Sequence, residues 1–298
     1  MGAEIVCPGD VPSQYEFLPS VAGSVIFIIL FGGLTAGHAW RMTMSRQWFM
    51  SAFILGTSME IAGYGVRIMG HNNPCNENTE ITQKILLLVA PSVFAATIYM
   101  VLGRTILAVQ GAHLSPIKPS ILTKVFVTGD IVCFFVQLTG GAIMSGGGSR
   151  TNLGRYIILT GLGLQITLFG LFVYVAYLFH TRILKQRTEA SHRPAIKWET
   201  MLTILYVVSG IIMIRNFFRV AETSGGRDGY LLQHEWPLYV FDSIPMVAVV
   251  AILLYWFPTL IRPTKYSRDS IEVQPVLGRR QHSGYKRSPS PEDNSNPV

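Results

Sequence analysis

Charged residues recur at helical spacing close to one end of a long apolar segment. Arg215, Arg219 and Glu222 are separated by four and three residues. On an α-helix, which turns 100° per residue, the three side chains share one face. A guanidinium binds phosphate or hydroxyl oxygens, whereas a carboxylate binds an amine, another cation or a proton. The spacing therefore predicts a polar binding site on one helix face.

Three other apolar segments carry polar side chains in the same pattern, so we expect one polar stripe on each of four helices. Charges at the centre of a bilayer are tolerated when they face the bundle interior, pair with one another or line a wet cavity. In the simpler interpretation, these ion pairs only hold the helices in register. In the functional one, the following residues bind or translocate a substrate: Glu60, Arg67, Asp130, Gln137, Arg215, Arg219, Glu222, Glu235 and Asp242. Asp130 and Arg104 are predicted to lie deeper, toward the inner half, where a second pair could form.

The composition indicates a membrane protein. Of the 298 residues, 49% are hydrophobic and 14% are charged, against about 25% charged in an ordinary soluble domain. Apolar segments of about 20 residues are long enough to cross a bilayer, and the alternation typical of a β-barrel is absent. The sequence therefore predicts an all-α bundle of seven transmembrane helices, with spans near residues 18–39, 47–68, 84–109, 121–144, 156–179, 198–218 and 236–260.

The basic residues predict the orientation of these spans. Lys and Arg number two each in segments 41–46 and 111–124, five in 180–197 and seven after residue 261, which is sixteen on one side. The other side has three, namely Arg150, Arg155 and Arg227. The side rich in Lys and Arg is normally cytoplasmic, so we expect the N-terminus outside and the C-terminus inside. The net charge of +7 is then a topology signal and an attraction to anionic lipid, and it does not indicate nucleic-acid binding.

The predicted organisation has three parts. Residues 1–17 form an extracellular segment, residues 18–262 form the transmembrane domain, and residues 263–298 form a disordered cytoplasmic tail. No Lys or Arg precedes the first apolar segment, so we expect it to be retained as helix 1 instead of being cleaved as a signal peptide. In the tail, Ser288 and Ser290 each precede a proline, a pattern that offers phosphorylation sites to cytoplasmic regulators.

The three cysteines leave two possibilities open. Cys7 and Cys75 both fall on the predicted outer side, whereas Cys133 falls within helix 4. In an oxidising compartment, Cys7 and Cys75 could form a disulfide. The alternative is two unpaired thiols.

Several motifs of enzymes and ATP-driven pumps are missing from the sequence. It contains neither the G-x-x-x-x-G-K-[ST] phosphate-binding loop nor the H-E-x-x-H zinc motif. Its histidines are scattered over both predicted faces of the membrane instead of converging at one depth. We therefore expect a protein that is not an enzyme and that needs no metal or other cofactor.

The polar segments resemble the signatures of a known family, the fungal lipid-translocating exporters or RTA-like proteins. The resemblance extends from about Tyr15 to Pro263 through all seven predicted helices. The matching segments are EIAGYGVR (60–67), APSVFAATIYMVLGR (90–104), VTGDIVCFFVQLTGGAI (127–143), GLGLQ (161–165) and RNFFRVAETSGGRDGYLLQHEWPLYVFD (215–242).

This resemblance implies a fungal seven-helix protein that exports or flips amphiphilic lipids such as sphingoid long-chain bases and gives resistance to toxic amphiphiles. It also implies membrane lipids as partners and the plasma membrane as the location. The alternative function is a seven-transmembrane receptor or sensor of lipid or membrane stress. Its ligand pocket would be formed by the charges predicted in the outer half of the membrane, namely Arg67, Arg215, Arg219, Glu222, Glu235 and Asp242.

Overall fold

Long helices dominate the computed structural model, which describes residues 6–7, 11–12, 19–73, 75, 77–145, 150–192, 197–225 and 230–256. Seven of its helical segments are long and apolar enough to cross a membrane, which confirms the predicted all-α, seven-helix class. The six long helices are α1 (Val21–Ser45), α2 (Ser51–Asn72), α3 (Glu77–Ala108), α4 (Pro119–Ser145), α5 (Arg150–Lys185) and α6 (Trp198–Gly225).

Short elements complete the described chain. The helices α7 (Tyr230–Gln233) and α8 (Trp236–Leu238) are followed by a π-helical turn (Tyr239–Ser243) and α9 (Ile244–Tyr255). Together α8, the π-turn and α9 form the seventh span, Trp236–Tyr255. Two 3₁₀ turns (Trp48–Met50 and Glu189–His192) precede α2 and α6, and the strands β1 (Val6–Cys7) and β2 (Val11–Pro12) pair antiparallel. The predicted tail, 263–298, lies outside the described residues.

Several helices are longer than their predicted spans. The helix α1 continues to Ser45, so the predicted loop at 41–46 is mostly its last turn, where Arg41 Nη1 donates to the carbonyl oxygen of Leu254 over 2.6 Å. Likewise, α5 includes Arg182 and Lys185, and α4 includes Lys124. Hydropathy locates the part of a helix that crosses apolar lipid, but a helix can extend past that part into the interface.

The helix α1 and the seventh span run side by side in the same direction. At their beginnings, the amide of Ser20 donates to Glu235 Oε1 over 2.8 Å. At their other ends, Arg41 meets Leu254. The end of α2 also lies near the start of α1, because His71 Nδ1 is 2.8 Å from the carbonyl oxygen of Pro19. We call this end of the bundle, where α1 and the seventh span begin and α2 ends, the α1 end.

The π-turn of the seventh span has a cause that can be read in the sequence. Pro245 lacks an amide hydrogen, and its ring clashes with the carbonyl four residues earlier in a regular α-helix, here that of Phe241. The backbone instead widens, and the amide of Ile244 bonds to the carbonyl of Tyr239 five residues back. This wide turn contains Tyr239, Asp242 and Ser243, which all contribute to the candidate site.

The cysteines are described in part. Cys75 is disulfide-bonded, and Cys133 is a free thiol buried in α4. The side chain of Cys7 lies outside the described residues, so its pairing with Cys75 stays a prediction.

Mass spectrometry of peptides from the unreduced protein should detect a cross-linked peptide pair that contains Cys7 and Cys75. Two alkylated thiols at these positions would contradict it.

Candidate functional site

Asp242 in the π-turn bridges two arginines of α6. Its Oδ1 accepts from Arg219 Nε at 3.1 Å and its Oδ2 from Arg219 Nη2 at 2.6 Å, a two-point pair. Arg215 Nε also lies 2.6 Å from Oδ1, although its N–H is not aligned as a hydrogen bond. Arg219 has a third partner in Glu222 one turn later, because Nη1 donates to Oε2 over 2.9 Å. One buried carboxylate therefore serves two guanidinium groups.

The second guanidinium contact of Arg215 is explained by a proline in α3. Nη2 of Arg215 donates to the carbonyl oxygen of Leu87 over 2.8 Å. In an unbroken helix that oxygen would accept from the amide of residue 91, but residue 91 is a proline inside the helix. Pro91 thus leaves free a carbonyl that the buried Arg215 side chain occupies.

Replacing this proline should disturb the site without weakening the fold. In Pro91→Ala, the new amide is expected to compete with Arg215 for the Leu87 oxygen. Loss of a hydrogen bond of a charged group is worth about 1.5 kcal/mol or more, so we expect roughly tenfold slower transport. The thermal unfolding temperature should not fall, since alanine suits a helix interior.

Pro119→Ala is the matched control, because Pro119 is the first residue of α4, where the amide has no intrahelical acceptor. Equal transport by both variants would contradict this role.

A second network surrounds Glu235 at the start of the seventh span. Glu235 Oε1 accepts from three donors: Arg67 Nη2 of α2 at 2.7 Å, the hydroxyl of Tyr239 at 2.7 Å and the amide of Ser20 at 2.8 Å. The Arg67 guanidinium also lies 5.8 Å from the centre of the Tyr239 ring. This carboxylate therefore joins α1, α2 and the seventh span.

The two networks meet at Tyr64 of α2. Its hydroxyl forms a short hydrogen bond with Ser243 Oγ, next to Asp242 in the chain. It also interacts electrostatically with Glu60, Asp242 and Arg67. The structure therefore brings seven predicted residues together, which we call the charged cluster: Glu60, Arg67, Arg215, Arg219, Glu222, Glu235 and Asp242.

Exposure changes steadily across the charged cluster. The side chains of Glu235 and Glu222 are 21% and 15% exposed, whereas those of Arg215 and Asp242 are 2% and 3% exposed. Glu60 is also 2% exposed. The cluster thus has a rim that is partly open at the α1 end and a base that is closed inside the bundle.

Asp130 and Gln137 form a separate polar group between α3, α4 and α5. The hydroxyl of Tyr99 donates to Asp130 Oδ2 over 2.9 Å, and Gln137 Nε2 donates to Gln165 Oε1 over 2.9 Å. The expected pair between Asp130 and Arg104 is wrong. The Arg104 guanidinium lies over the ring of Phe49, 4.0 Å from its centre, because α3 points residue 104 toward the turn before α2.

Sequence reasoning missed some contributors to the site. Tyr64 and Tyr239 contribute hydroxyl groups that hydrogen-bond to Ser243 and Glu235, and neither tyrosine is among the predicted site residues. The backbone contacts at Ser20 and Leu87 carry no side-chain signal, although Pro91 marks the second of them. Within the described residues, no group of three His, Cys, Asp or Glu side chains is arranged to hold a metal ion.

Comparison with known proteins gives a consistent set of relatives. The family model described as RTA1 like protein matches residues 53–265. Protein RTA1 of Saccharomyces cerevisiae is 36% identical over 74% of this chain and 69% of its own length, and Protoporphyrin uptake protein 1 of the same yeast is 37% identical over 79% and 89%. The yeast Sphingoid long-chain base transporter RSB1 is 26% identical over 81% of this chain and 72% of its own. No solved structure matches.

Proposed function

This chain belongs to the RTA1-like family, and from that membership we propose that it moves amphiphilic lipids such as sphingoid long-chain bases across the bilayer. Such movement would protect a cell from toxic amphiphiles. Relatives named for sphingoid-base transport and for protoporphyrin uptake both handle molecules with a large apolar part and a charged part. Neither name denotes a catalyst, and we propose that this chain is likewise a transporter and not an enzyme.

The observation that carries the proposal is the charged cluster. Three arginines and four carboxylates lie together in a membrane-spanning bundle, although each charge at mid-bilayer costs at least about 2.5–3.5 kcal/mol on insertion scales. Helix registration alone needs fewer charges, and the small residues at the helix contacts already serve that purpose. Gly140 and Gly154, for example, bring α4 and α5 so close that a Cβ on either would lie within 2.8 Å of the other's carbonyl oxygen. The cluster is better explained as a head-group site.

The arrangement suggests how an amphiphile would be held. Its head group enters at the partly open rim, near Glu222 and Glu235, and moves toward the buried base. Arg215 and Arg219 bind its hydroxyl or phosphate oxygens, while carboxylates bind its amine. The acyl chain stays in lipid beside the bundle. In each ion pair that the ligand separates, a charged group of the ligand takes the place of one partner. The ion pairs can therefore separate without leaving a buried charge uncompensated.

The direct test is a flip assay on the purified full-length protein in lipid vesicles. Labelled sphingoid base is added to one leaflet, and its appearance in the other is followed. We expect faster movement than in vesicles without protein. Binding of the base without acceleration would instead favour the receptor or sensor function, and neither binding nor movement would contradict both.

We further propose that the rim of the charged cluster faces outward in the plasma membrane. The excess of Lys and Arg in segments 41–46, 111–124 and 180–197 and beyond residue 261 supports a cytoplasmic C-terminus. A protease added to intact cells should therefore leave a C-terminal tag uncut and should cut it after the cells are permeabilised. Cleavage of the tag in intact cells would contradict this orientation.

We propose that cytoplasmic regulators act on the tail, at Ser288 and Ser290.

A further inference from the structure

Glu60 differs from every other carboxylate of the charged cluster. Asp242, Glu222 and Glu235 each form an ion pair with an arginine. Glu60 is as deeply buried as Arg215, at 2% exposed, yet none of the hydrogen bonds and ion pairs found among the described residues of the cluster includes it. With three arginines and four carboxylates, the cluster has one carboxylate more than its arginines, and the geometry identifies that carboxylate as Glu60.

The surroundings of Glu60 explain why it has no partner. It lies on the face of α2 that also carries Gly56 and Gly63. A Cβ added to Gly56 would lie 2.5 Å from Phe94, and a Cβ added to Gly63 would lie 2.7 Å from Leu87, both of which belong to α3. The charged groups that act on it are Asp242 from the π-turn and Arg215 and Arg219 from α6, with Tyr64 one turn along α2. Arg219 donates hydrogen bonds to Asp242 and Glu222, and Arg215 donates one to the Leu87 carbonyl, so none of these hydrogen bonds is made to Glu60. Apolar side chains therefore adjoin Glu60 on the α3 side, and none of the hydrogen bonds found among the described residues reaches it.

A buried carboxylate without a partner is costly while it is ionised, and a bound proton removes that cost. A bound cation would remove it equally well. A divalent metal ion is a poor candidate, since it requires several oxygen ligands, whereas the single charge of an organic ammonium group, primary or quaternary, is balanced by one carboxylate. The site therefore suits either a proton or an organic ammonium group.

Building on the proposed function, we propose that Glu60 is a proton-exchange site at which the ammonium group of the amphiphile and a proton replace each other. In the empty state, the Glu60 carboxyl holds the proton. When the ammonium group arrives, the O–H bond breaks, the proton leaves to water through the rim, and the carboxylate pairs with the ammonium. One positive charge enters and one leaves, so the charge of the cluster is unchanged. Movement of the amphiphile in one direction is thereby coupled to movement of a proton in the other.

The experiment uses the full-length protein in phosphatidylcholine vesicles and two labelled probes, sphinganine and N,N,N-trimethylsphinganine. The trimethylated probe keeps its charge at every pH, whereas the amine of sphinganine is trapped by a pH gradient even without protein. The membrane potential is held at zero with potassium and valinomycin. With the interior one pH unit more acidic, a one-for-one exchange should concentrate the trimethylated probe inside by about tenfold.

Glu60→Gln keeps the size of the side chain but cannot exchange a proton, so we expect it to abolish this accumulation. Its thermal unfolding temperature should stay close to that of the wild type, because glutamine, like the protonated acid, is neutral. Glu60→Asp keeps the carboxyl group and should retain part of the accumulation. Glu199→Gln is the matched control, because Glu199 is a 60% exposed residue in the first turn of α6. It should accumulate the probe as the wild type does.

The outcomes separate the two proposals. If neither probe moves faster with the wild-type protein than without it, the proposed function itself is wrong. If the wild type moves both probes but does not concentrate the trimethylated probe in response to the gradient, transport stands and proton exchange is wrong. Full accumulation by Glu60→Gln would also overturn the role of Glu60. So would a failure of this variant to fold, because the proposal requires a neutral side chain at this position to be tolerated.

Discussion

Asp242→Asn is expected to lower the free energy of unfolding by about 3–5 kcal/mol, the usual cost of breaking a buried ion pair by removing one partner, and to abolish amphiphile transport. Asp242 is the carboxylate that Arg215 and Arg219 share. Asparagine presents an NH₂ group in place of one oxygen, so a donor would face a guanidinium donor. Arg215, which is fully inside the bundle, would lose its counter-charge. Thermal unfolding in detergent and the flip assay measure the two effects.

Glu222→Gln is the matched comparison for Asp242→Asn. Glu222 pairs with the same arginine, Arg219, but lies at the rim and is 15% exposed. Its ion pair is partly screened by solvent, so its loss should cost about 1 kcal/mol or less. We therefore expect a folded protein with reduced transport. Equal effects of the two substitutions would show that burial of the shared carboxylate is not what holds the cluster together.

Hydropathy was sufficient to predict the membrane-spanning architecture. The seven spans predicted from apolar segments all correspond to helices, because lipid requires every backbone group to bond within its own helix. The ends were less accurate. The helix α5 extends from Arg150 to Lys185, whereas the predicted span covers 156–179. Polar residues at the interface neither favour nor forbid a further helical turn, so hydropathy does not mark the end.

The sequence predicted most of the residues that lie together in the charged cluster, but it did not predict which of them pair with one another. Helical spacing placed Arg215, Arg219 and Glu222 on one face, but spacing does not identify which residue of another helix lies opposite. The pairs with Asp242 and Glu235 depend on how α2, α6 and the seventh span pack together. Asp130 and Gln137 show the same limit, since an inward-facing polar stripe on α4 meets α3 and α5 and not the charged cluster.

Local irregularities within helices contribute to the site, and the helical periodicity of polar residues does not predict them. Pro91 and Pro245, two of the prolines within the predicted spans, release or displace carbonyl groups. One released carbonyl accepts Arg215, and the widened turn before Pro245 holds Asp242. Regular α-helices supply the spans, and these two irregularities allow charged side chains of neighbouring helices to meet.

Glu235→Ala is the second substitution for which we expect a large effect. It removes the oxygen that accepts from Arg67, Tyr239 and the amide of Ser20. The free energy of unfolding should fall by about 2–3 kcal/mol, less than for Asp242→Asn because Glu235 is 21% exposed and its charge is partly screened. Hydrogen exchange should become faster at the first amides of α1, since Glu235 holds the beginning of that helix against the seventh span.

Glu235→Gln separates the charge of this residue from its hydrogen bonds. Glutamine keeps an acceptor oxygen for Ser20 and Tyr239 but loses the charge that pairs with Arg67, so we expect a loss of about 1 kcal/mol and normal exchange at the start of α1. In a double-mutant cycle, Arg67→Gln combined with Glu235→Gln should cost less than the sum of the two single changes, with a coupling of about 1–2 kcal/mol. Strictly additive losses would show that Arg67 and Glu235 do not stabilise each other. Unchanged hydrogen exchange in Glu235→Ala would show that the contact with Ser20 does not hold α1 in place.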